Sequence, residues 1–293
     1  MIKVLQFTGR VSDIKAWCKE NGISEHEGRR RYVEHAILGC IARSGKLRNA
    51  IVFKGGNALR IMYGSSRSTL DLDFTALPNA LSDSEDDLRA IADTAFHISA
   101  KSFGVKLRCQ KVKRNPRGIE FTTPTYKISV AYQFPGDRYF ESMETRNLSD
   151  TVPVEISLND IVCGISELSP VTNGRNTIKV CSLEDILAEK LRSILQQKVR
   201  NRNRSQDVYD IAVFARSHAD SINWQSVYSY FAIKCQARGV IAERKEFDMV
   251  IRDMAALNYD EEIHRQARSA FISFDDAWHE VERVVEGLPP ANS

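Results

Sequence analysis

Apolar and polar positions follow two different periods along this chain, and the change lies near residue 180. Before it, alternating or short apolar runs typical of strands are separated by helical segments. After it, apolar residues recur at the spacing of one buried helix face. The pattern predicts an α+β fold, with a mixed sheet and flanking helices over 1–180 and a helical domain over 181–293.

The individual elements follow from the same pattern and from capping residues. Ser82 with Glu85, and Ser182 with Asp185, have the spacing of side chains that cap the first turn of a helix. The predicted strands are 51–53, 70–74, 105–112, 119–134 and 152–158. The predicted helices are 12–20, a segment around 33–41, 57–62, 82–102, 183–195, 206–216, 224–238, 246–257 and 260–285. A basic loop is expected at 198–204.

Two aspartates share one face of the predicted strand 70–74. Asp71 and Asp73 alternate there with apolar residues, and alternation along 152–158 turns Glu155 away from the apolar side of its own strand. Three neighbouring carboxylates repel one another unless a divalent cation lies among them. The pattern predicts a Mg²⁺ site, which Mn²⁺ would also fit. Against this, roughly one Asp-x-Asp is expected by chance in a chain of this length, and Glu155 alone is typical of a solvent-facing strand residue.

A Gly-Gly pair joins the predicted strand 51–53 to the helix that follows it. Gly55 and Gly56 carry no side chains, so their backbone N–H groups are open to a ligand at the start of that helix. Helix N-termini attract phosphates. We therefore expect a nucleoside triphosphate to approach the chain here.

Lys190 lies on the apolar stripe of the predicted helix 183–195. An ammonium is costly to bury without an anion, and a triphosphate would supply one. The alternative is a lysine at the edge of the stripe whose amine reaches water. Asp207 and Asp210 open the next helix, where acids are favoured in any protein. The sequence leaves open whether Asp207 or Asp210 faces the site.

The net charge is only +3, so the total charge does not indicate a nucleic-acid partner. The distribution of charged residues along the chain is more informative. Two basic clusters favour RNA as a partner, although a charge run is also typical of a plain solvated face. The first cluster is Lys101, Lys106, Arg108, Lys111, Lys113, Arg114 and Arg117. The second is Lys198, Arg200, Arg202 and Arg204.

Composition narrows the protein class. The chain of 293 residues is 43% hydrophobic, as in ordinary globular proteins. Its six cysteines form no C-x-x-C pair, so neither a zinc site nor a disulfide framework is indicated. No apolar run is long enough for a membrane helix, and no signal peptide opens the chain. We expect a cytoplasmic protein without a membrane partner.

Several of these residues belong to stretches that resemble the AbiEii toxins, a family that includes the MenT toxins. The first motif is matched by Phe53-Lys-Gly-Gly-Asn-Ala-Leu-Arg60, Tyr63-Gly, Arg67 and Leu70-Asp-Leu-Asp-Phe74. Later motifs are matched by Glu189-Lys-Leu-Arg192 and Asp207-Val-Tyr-Asp210. The resemblance implies a polymerase-β-like nucleotidyltransferase core with a helical C-terminal part. It also implies transfer of a nucleotide from an NTP to RNA, as some members modify the 3′ end of tRNA, and a cognate antitoxin.

The resemblance also implies roles for individual positions. Asp71 and Asp73 become metal ligands, with Glu155 as a third carboxylate. The nucleotide-binding residues become Lys54, Gly55, Gly56, Arg60, Thr69 and Lys190. The catalytic residues become Asp71, Asp73, Lys190 and Asp207.

The motifs depart from the family pattern at three places. Asn57 stands where threonine is usual, Ser68-Thr-Leu precedes the acids in place of Phe-Ser-Glu, and Gln206 replaces an arginine before Asp207. These changes leave the expected chemistry intact but put the substrate preference in doubt.

The sequence therefore predicts transfer of a nucleoside monophosphate to the 3′ end of tRNA, in a cleft between the two domains, which would block translation. Two other functions stay open. One is nucleotidyl transfer to a small molecule or a protein, and the basic clusters argue against the small molecule. The other is a non-catalytic nucleotide- or RNA-binding module, against which the retained acids and Lys190 speak.

Overall fold

The computed structural model describes residues 2–4, 11–67, 69–116, 124–170, 176–267 and 270–288. The chain divides into two compact units. Unit 1 contains 1–58, 70–160 and 166–180, and unit 2 contains 59–69, 161–165 and 181–293. Two short segments that precede residue 181 thus belong to the helical unit, and no shift in composition marks them.

Unit 1 is built on an eight-stranded mixed sheet with the order β1-β7-β8-β2-β3-β6-β5-β4. The strands are β1 (Ile2–Val4), β2 (Ile51–Lys54), β3 (Leu72–Ala76), β4 (Lys106–Asn115), β5 (Thr125–Gln133), β6 (Thr151–Ser157), β7 (Ile165–Ser169) and β8 (Ile178–Cys181). β3 is antiparallel to β2 and parallel to β6, whereas β5 is antiparallel to both β6 and β4. β3 therefore lies inside the sheet, with a paired strand along each of its two edges.

Three of the described helices of unit 1 begin at serine caps. Helices of this unit are α1 (Ile14–Glu20), α2 (Glu25–Arg43), α3 (Gly45–Ala50) and α5 (Glu85–Ser99). Ser24, Ser44 and Ser84 each accept a hydrogen bond from a backbone N–H in the first turn of the helix that follows, which satisfies one otherwise unpaired donor. α5 packs against β4 and α2. Helix α4 (Gly55–Tyr63) starts in unit 1 and continues into unit 2.

Unit 2 consists of helices packed around buried aromatic and aliphatic side chains. They are α6 (Leu183–Leu195), α7 (Gln197–Arg200), α8 (Ser205–Ser217), α9 (Trp224–Gln236), α10 (Met249–Ala256), α11 (Tyr259–Ala267) and α12 (Phe274–Glu286). α6 packs against α8 and α9, and α8 packs against α11 and α12. The caps are Ser182, Asn223, Asp248 and Ser273.

The predicted fold class is confirmed: a mixed sheet with flanking helices is followed by a helical C-terminal part. Among the described helices, none combines the length and the apolar character needed to cross a membrane.

Four local predictions were wrong. Strand β3 begins at Leu72, so Asp71 lies just before it, and Leu70 is 64% exposed rather than part of the apolar face. Ser84 caps α5, and the Ser82 hydroxyl instead donates to Asp87. The predicted helix 260–285 is two helices, α11 and α12, and the predicted basic loop at 198–204 includes α7. Residues 119–123 of a predicted strand and Arg117 lie outside the described residues.

Candidate active site

Strand β2 passes directly into helix α4 at Gly55, beside the second predicted acid. Gly55 has φ +77°, a left-handed conformation that favours glycine. A Cβ on this residue would lie 2.9 Å from the Cβ of Asp73 and closer still to its carboxylate. Only glycine therefore fits here, and the Asp73 carboxylate packs against the backbone at the start of the helix.

Gly55→Ala tests this close packing, with Gly136→Ala as a matched control. Both glycines have positive φ, but a Cβ on Gly136 would meet nothing within 4 Å. Each variant should lose about 1–2 kcal/mol of unfolding free energy from backbone strain, and Gly55→Ala about 1–3 kcal/mol more from the collision. Urea unfolding measures the difference. Equal losses in the two variants would contradict the packing of Asp73 on Gly55.

Asn57 holds the backbone of the first acid. Its side chain is fully buried, and its Nδ2 donates to the carbonyl oxygen of Asp71 at 2.7 Å. Asp71 lies just before β3 and outside the paired part of the strand. The bond from Asn57 therefore ties the backbone of Asp71 to the first turn of α4. Asn57 thus positions Asp71, a role that the sequence did not indicate beyond its departure from the usual threonine.

A row of charged side chains crosses one face of the sheet. Residues directly opposite one another on paired strands point to the same face, and the register aligns five charged residues on neighbouring strands. We call this set the charged row, and in order from β4 to β2 it is Lys113, Lys127, Glu155, Asp73 and Lys54. The row places both Glu155 and Lys54 beside Asp73.

Three members of the charged row are held in ion pairs. Lys127 Nζ lies 2.7 Å from Glu155 Oε1. Lys54 is paired with Asp160, which follows β6. Sequence reasoning missed Asp160 and Lys127; the only signal for Asp160 was its place in the polar stretch after an alternating strand. Among the residues that the structure describes, no three His, Cys, Asp or Glu side chains form a group that could hold a metal ion.

In unit 2, Lys190 belongs to a buried ion network with both candidate aspartates. Its Nζ lies 2.7 Å from Asp207 Oδ1 and 2.7 Å from Asp210 Oδ2. Arg67 donates to both carboxylate oxygens of Asp210, at 2.9 and 2.7 Å. One interpretation of the sequence was that the amine of Lys190 reaches water at the edge of the apolar stripe. The structure instead buries this amine between two carboxylates.

The network keeps its members charged. Burial alone would raise the pKa of Asp210, but the positive charges of Arg67 and Lys190 outweigh it and lower that pKa to about 2. Burial would likewise raise the pKa of Asp207, and Lys190 with Arg204 lowers it. For Lys190 burial would lower the pKa, yet the two carboxylates raise it. Asp210 is enclosed, whereas the Asp207 side chain keeps 12% of its surface exposed.

The remaining predicted nucleotide-binding residues lie at or after the start of α4. Gly56 and Arg60 are half-buried positions of that helix. The Thr69 hydroxyl is buried and has no hydrogen-bond partner among the described residues.

A second buried ion pair in unit 2 was not predicted. Lys234 on α9 is 4% exposed, lies 3.1 Å from Asp185 on α6, and donates to the carbonyl of Ile161 at 2.6 Å. Asp185 also accepts from the N–H of Cys163 at 2.6 Å. These bonds fix segment 161–165 to the helices of unit 2.

The two basic clusters are only partly available to a polyanion. In the first, Lys106 lies over the Phe140 ring, Arg108 donates to the carbonyl of Glu144, and Arg114 pairs with Asp83. The exposed members are Lys101, Lys111 and Lys113. In the second, Lys198 pairs with Asp248 and Arg204 approaches Asp207, whereas Arg200 and Arg202 are exposed.

Comparison with known proteins gives a family and structural neighbours. The family model of the nucleotidyl transferase AbiEii toxin, type IV toxin–antitoxin system, matches residues 37–286. The fold resembles the crystal structure of JHP933 from Helicobacter pylori, with 15% identity over 90% of this chain and 91% of that one and a TM-score of 0.51. A second H. pylori structure, described as a candidate nucleotidyltransferase, has 13% identity over 90% of this chain and 95% of that one, with a TM-score of 0.49. No curated protein matches the chain by sequence.

Proposed function

Because the chain belongs to the AbiEii family of nucleotidyltransferase toxins of type IV toxin–antitoxin systems, we propose that it transfers a nucleoside monophosphate from an NTP to the 3′ end of tRNA. Such a modification would stop aminoacylation and block translation in the cytoplasm. The family also implies a cognate antitoxin. The observation that carries the proposal is the junction of β2 and α4, where Gly55 accommodates the Asp73 carboxylate and Asn57 holds the backbone of Asp71.

The donor set at this junction fits Mg²⁺, and Mn²⁺ as a substitute. Both side chains offer carboxylate oxygens, which these ions prefer, and two carboxylates leave coordination positions for phosphate oxygens of the substrate. When bound, the metal would lower the pKa of the acceptor hydroxyl and offset charge on the departing pyrophosphate. Asp71 and Asp73 would hold it, with their positions set by Asn57 and Gly55.

The other predicted residues support binding of the triphosphate. Gly55 and Gly56 present backbone N–H groups at the first turn of α4, and Lys54, Arg60 and Thr69 flank the same motif. The buried Thr69 hydroxyl is a donor that a ligand oxygen would satisfy.

Lys190 and Asp207 take a modified role in this proposal. Asp207 is the less enclosed of the two aspartates, and Lys190 keeps it ionised and fixed. We therefore assign the active-site acid to Asp207 and a structural role to Asp210. Contact of Lys190 with the triphosphate stays a prediction, since a phosphate oxygen would have to replace one of its two carboxylate partners.

Label transfer tests the proposal. The native protein is incubated with Mg²⁺, total tRNA and each α-³²P-labelled NTP in turn, and the RNA is resolved on a denaturing gel. We expect label on tRNA from at least one nucleotide. Periodate-oxidised tRNA, which lacks the terminal diol, is the matched acceptor and should stay unlabelled. Label on protein or on small molecules instead would favour the alternative acceptors, and bound NTP without any transfer would favour a binding module.

A further inference from the structure

The pair of Lys127 and Glu155 lies next to the proposed metal ligands. Lys127 on β5 is opposite Glu155 on β6, which in turn is opposite Asp73 on β3. Adjacent strands are about 4.8 Å apart. Glu155 therefore stands between an ammonium on one side and an acid of the candidate centre on the other, with all three side chains on one face of the sheet.

Glu155 has a carboxylate next to Asp73 and could be a third metal ligand, but one of its two oxygens, Oε1, is bonded to Lys127. The distance from Lys127 Nζ to Glu155 Oε1 is 2.7 Å, a charge-assisted hydrogen bond. A divalent ion that used this oxygen would have to displace the lysine, and an ion on the other carboxylate oxygen would still be repelled by the lysine's charge.

We infer that Lys127 is a counterion that keeps Glu155 out of the metal-binding group, so that a divalent ion held by Asp71 and Asp73 would depend on phosphate oxygens of the triphosphate for further ligands. This inference rests on the proposed function, because it assumes the metal on Asp71 and Asp73. It makes Lys127 a positioning residue that sets how strongly metal binding depends on nucleotide.

The ion pair weakens metal binding by Glu155 but does not prevent it. The Lys127 side chain is 52% exposed, and an exposed ion pair is weak and screened by salt. Residues that touch a ligand of a metal, without binding the metal themselves, change its affinity by about 10–100-fold. We take the lower end of that range as the expected effect of removing the lysine.

Mn²⁺ binding without nucleotide, measured by electron paramagnetic resonance of the free ion, tests the inference. Lys127→Met should bind Mn²⁺ about tenfold more tightly than the native protein. Lys113→Met is the matched control, since it removes the same charge from the next position of the charged row without touching Glu155. It should change the affinity by less than about threefold because its charge is farther away and screened.

Glu155→Gln separates a ligand effect from a general charge effect. In the native background this change should alter Mn²⁺ affinity little, because Lys127 already holds the carboxylate. In Lys127→Met it should abolish the tenfold gain. A gain that survives in the double variant, an equal gain in Lys113→Met, or no gain in Lys127→Met would each overturn the inference.

The proposed function fails in a different pattern. A native protein that binds no Mn²⁺ even with a non-hydrolysable NTP analogue would remove the metal from Asp71 and Asp73, and the inference with it. Native binding with the analogue, together with unchanged affinity in Lys127→Met, would remove the inference alone. Thermal unfolding of every variant checks that the fold is retained.

Discussion

Replacing Asp73 by asparagine should lower the rate of nucleotide transfer by about 10³-fold or more. The amide keeps the shape that fits against Gly55 but loses the charge that, in our proposal, would hold the metal. A loss of about 4 kcal/mol in stabilisation of the transition state, well within the contribution of a catalytic metal, corresponds to this factor. The measurement is the initial rate of label transfer to tRNA at saturating NTP.

Stability and a matched variant make the result specific. Asp73→Asn should keep the native unfolding free energy within about 1 kcal/mol, since removing one of two neighbouring negative charges relieves repulsion. Asp86→Asn, an exposed aspartate in the same unit, is the control and should transfer label at the native rate. If Asp73→Asn retained a tenth of native activity, Asp73 would not be a metal ligand.

Replacing Asp210 by asparagine should cost about 3–5 kcal/mol of unfolding free energy. Asp210 has no exposed surface and forms ion pairs with both Arg67 and Lys190. Its neutral replacement leaves those buried cations with too little negative charge, and removing one partner of a buried pair typically has this cost. Urea unfolding followed by circular dichroism gives the value, with the exposed Asp220→Asn as control.

A double variant tests the interaction between Asp210 and Lys190 directly. Adding Lys190→Met removes one of the unbalanced cations, so the double variant should recover at least about 1 kcal/mol relative to the sum of the single changes. Strict additivity of the two changes would show that Lys190 and Asp210 do not interact as the 2.7 Å distance indicates.

The same pair predicts a pH dependence. The pKa of Asp210 is lowered in the folded protein to about 2, while in the unfolded chain it is about 4. Its contribution to stability is therefore fully present above about pH 4 and is lost as the pH falls toward 2. The difference in unfolding free energy between the native protein and Asp210→Asn should shrink over that interval. A constant difference across it would contradict the lowered pKa.

The fold class and the place of Asp73 on β3 followed from the sequence by itself. Period-2 alternation identifies half-buried strands and a period near 3.6 identifies helix faces, because each depends only on which side of an element is buried. The Gly-Gly pair and the two aspartates were recognisable because the residues of the motif are close together along the chain. Leu70 shows the limit of this reasoning, since alternation does not tell where a strand ends.

Tertiary structure decided the ion-pair partners of Glu155 and Lys190. Lys127 meets Glu155, and Glu155 meets Asp73, only because the strands pair in one register, and register is set by contacts across the whole sheet. Lys190 was recognisable as a cation on an apolar face, but its two carboxylate partners come from the packing of α6 against α8. The sequence by itself thus determined which residues are charged and which face of a strand or helix is polar. Long-range packing determined which charges neutralise one another, because that depends on distances that no local sequence pattern encodes.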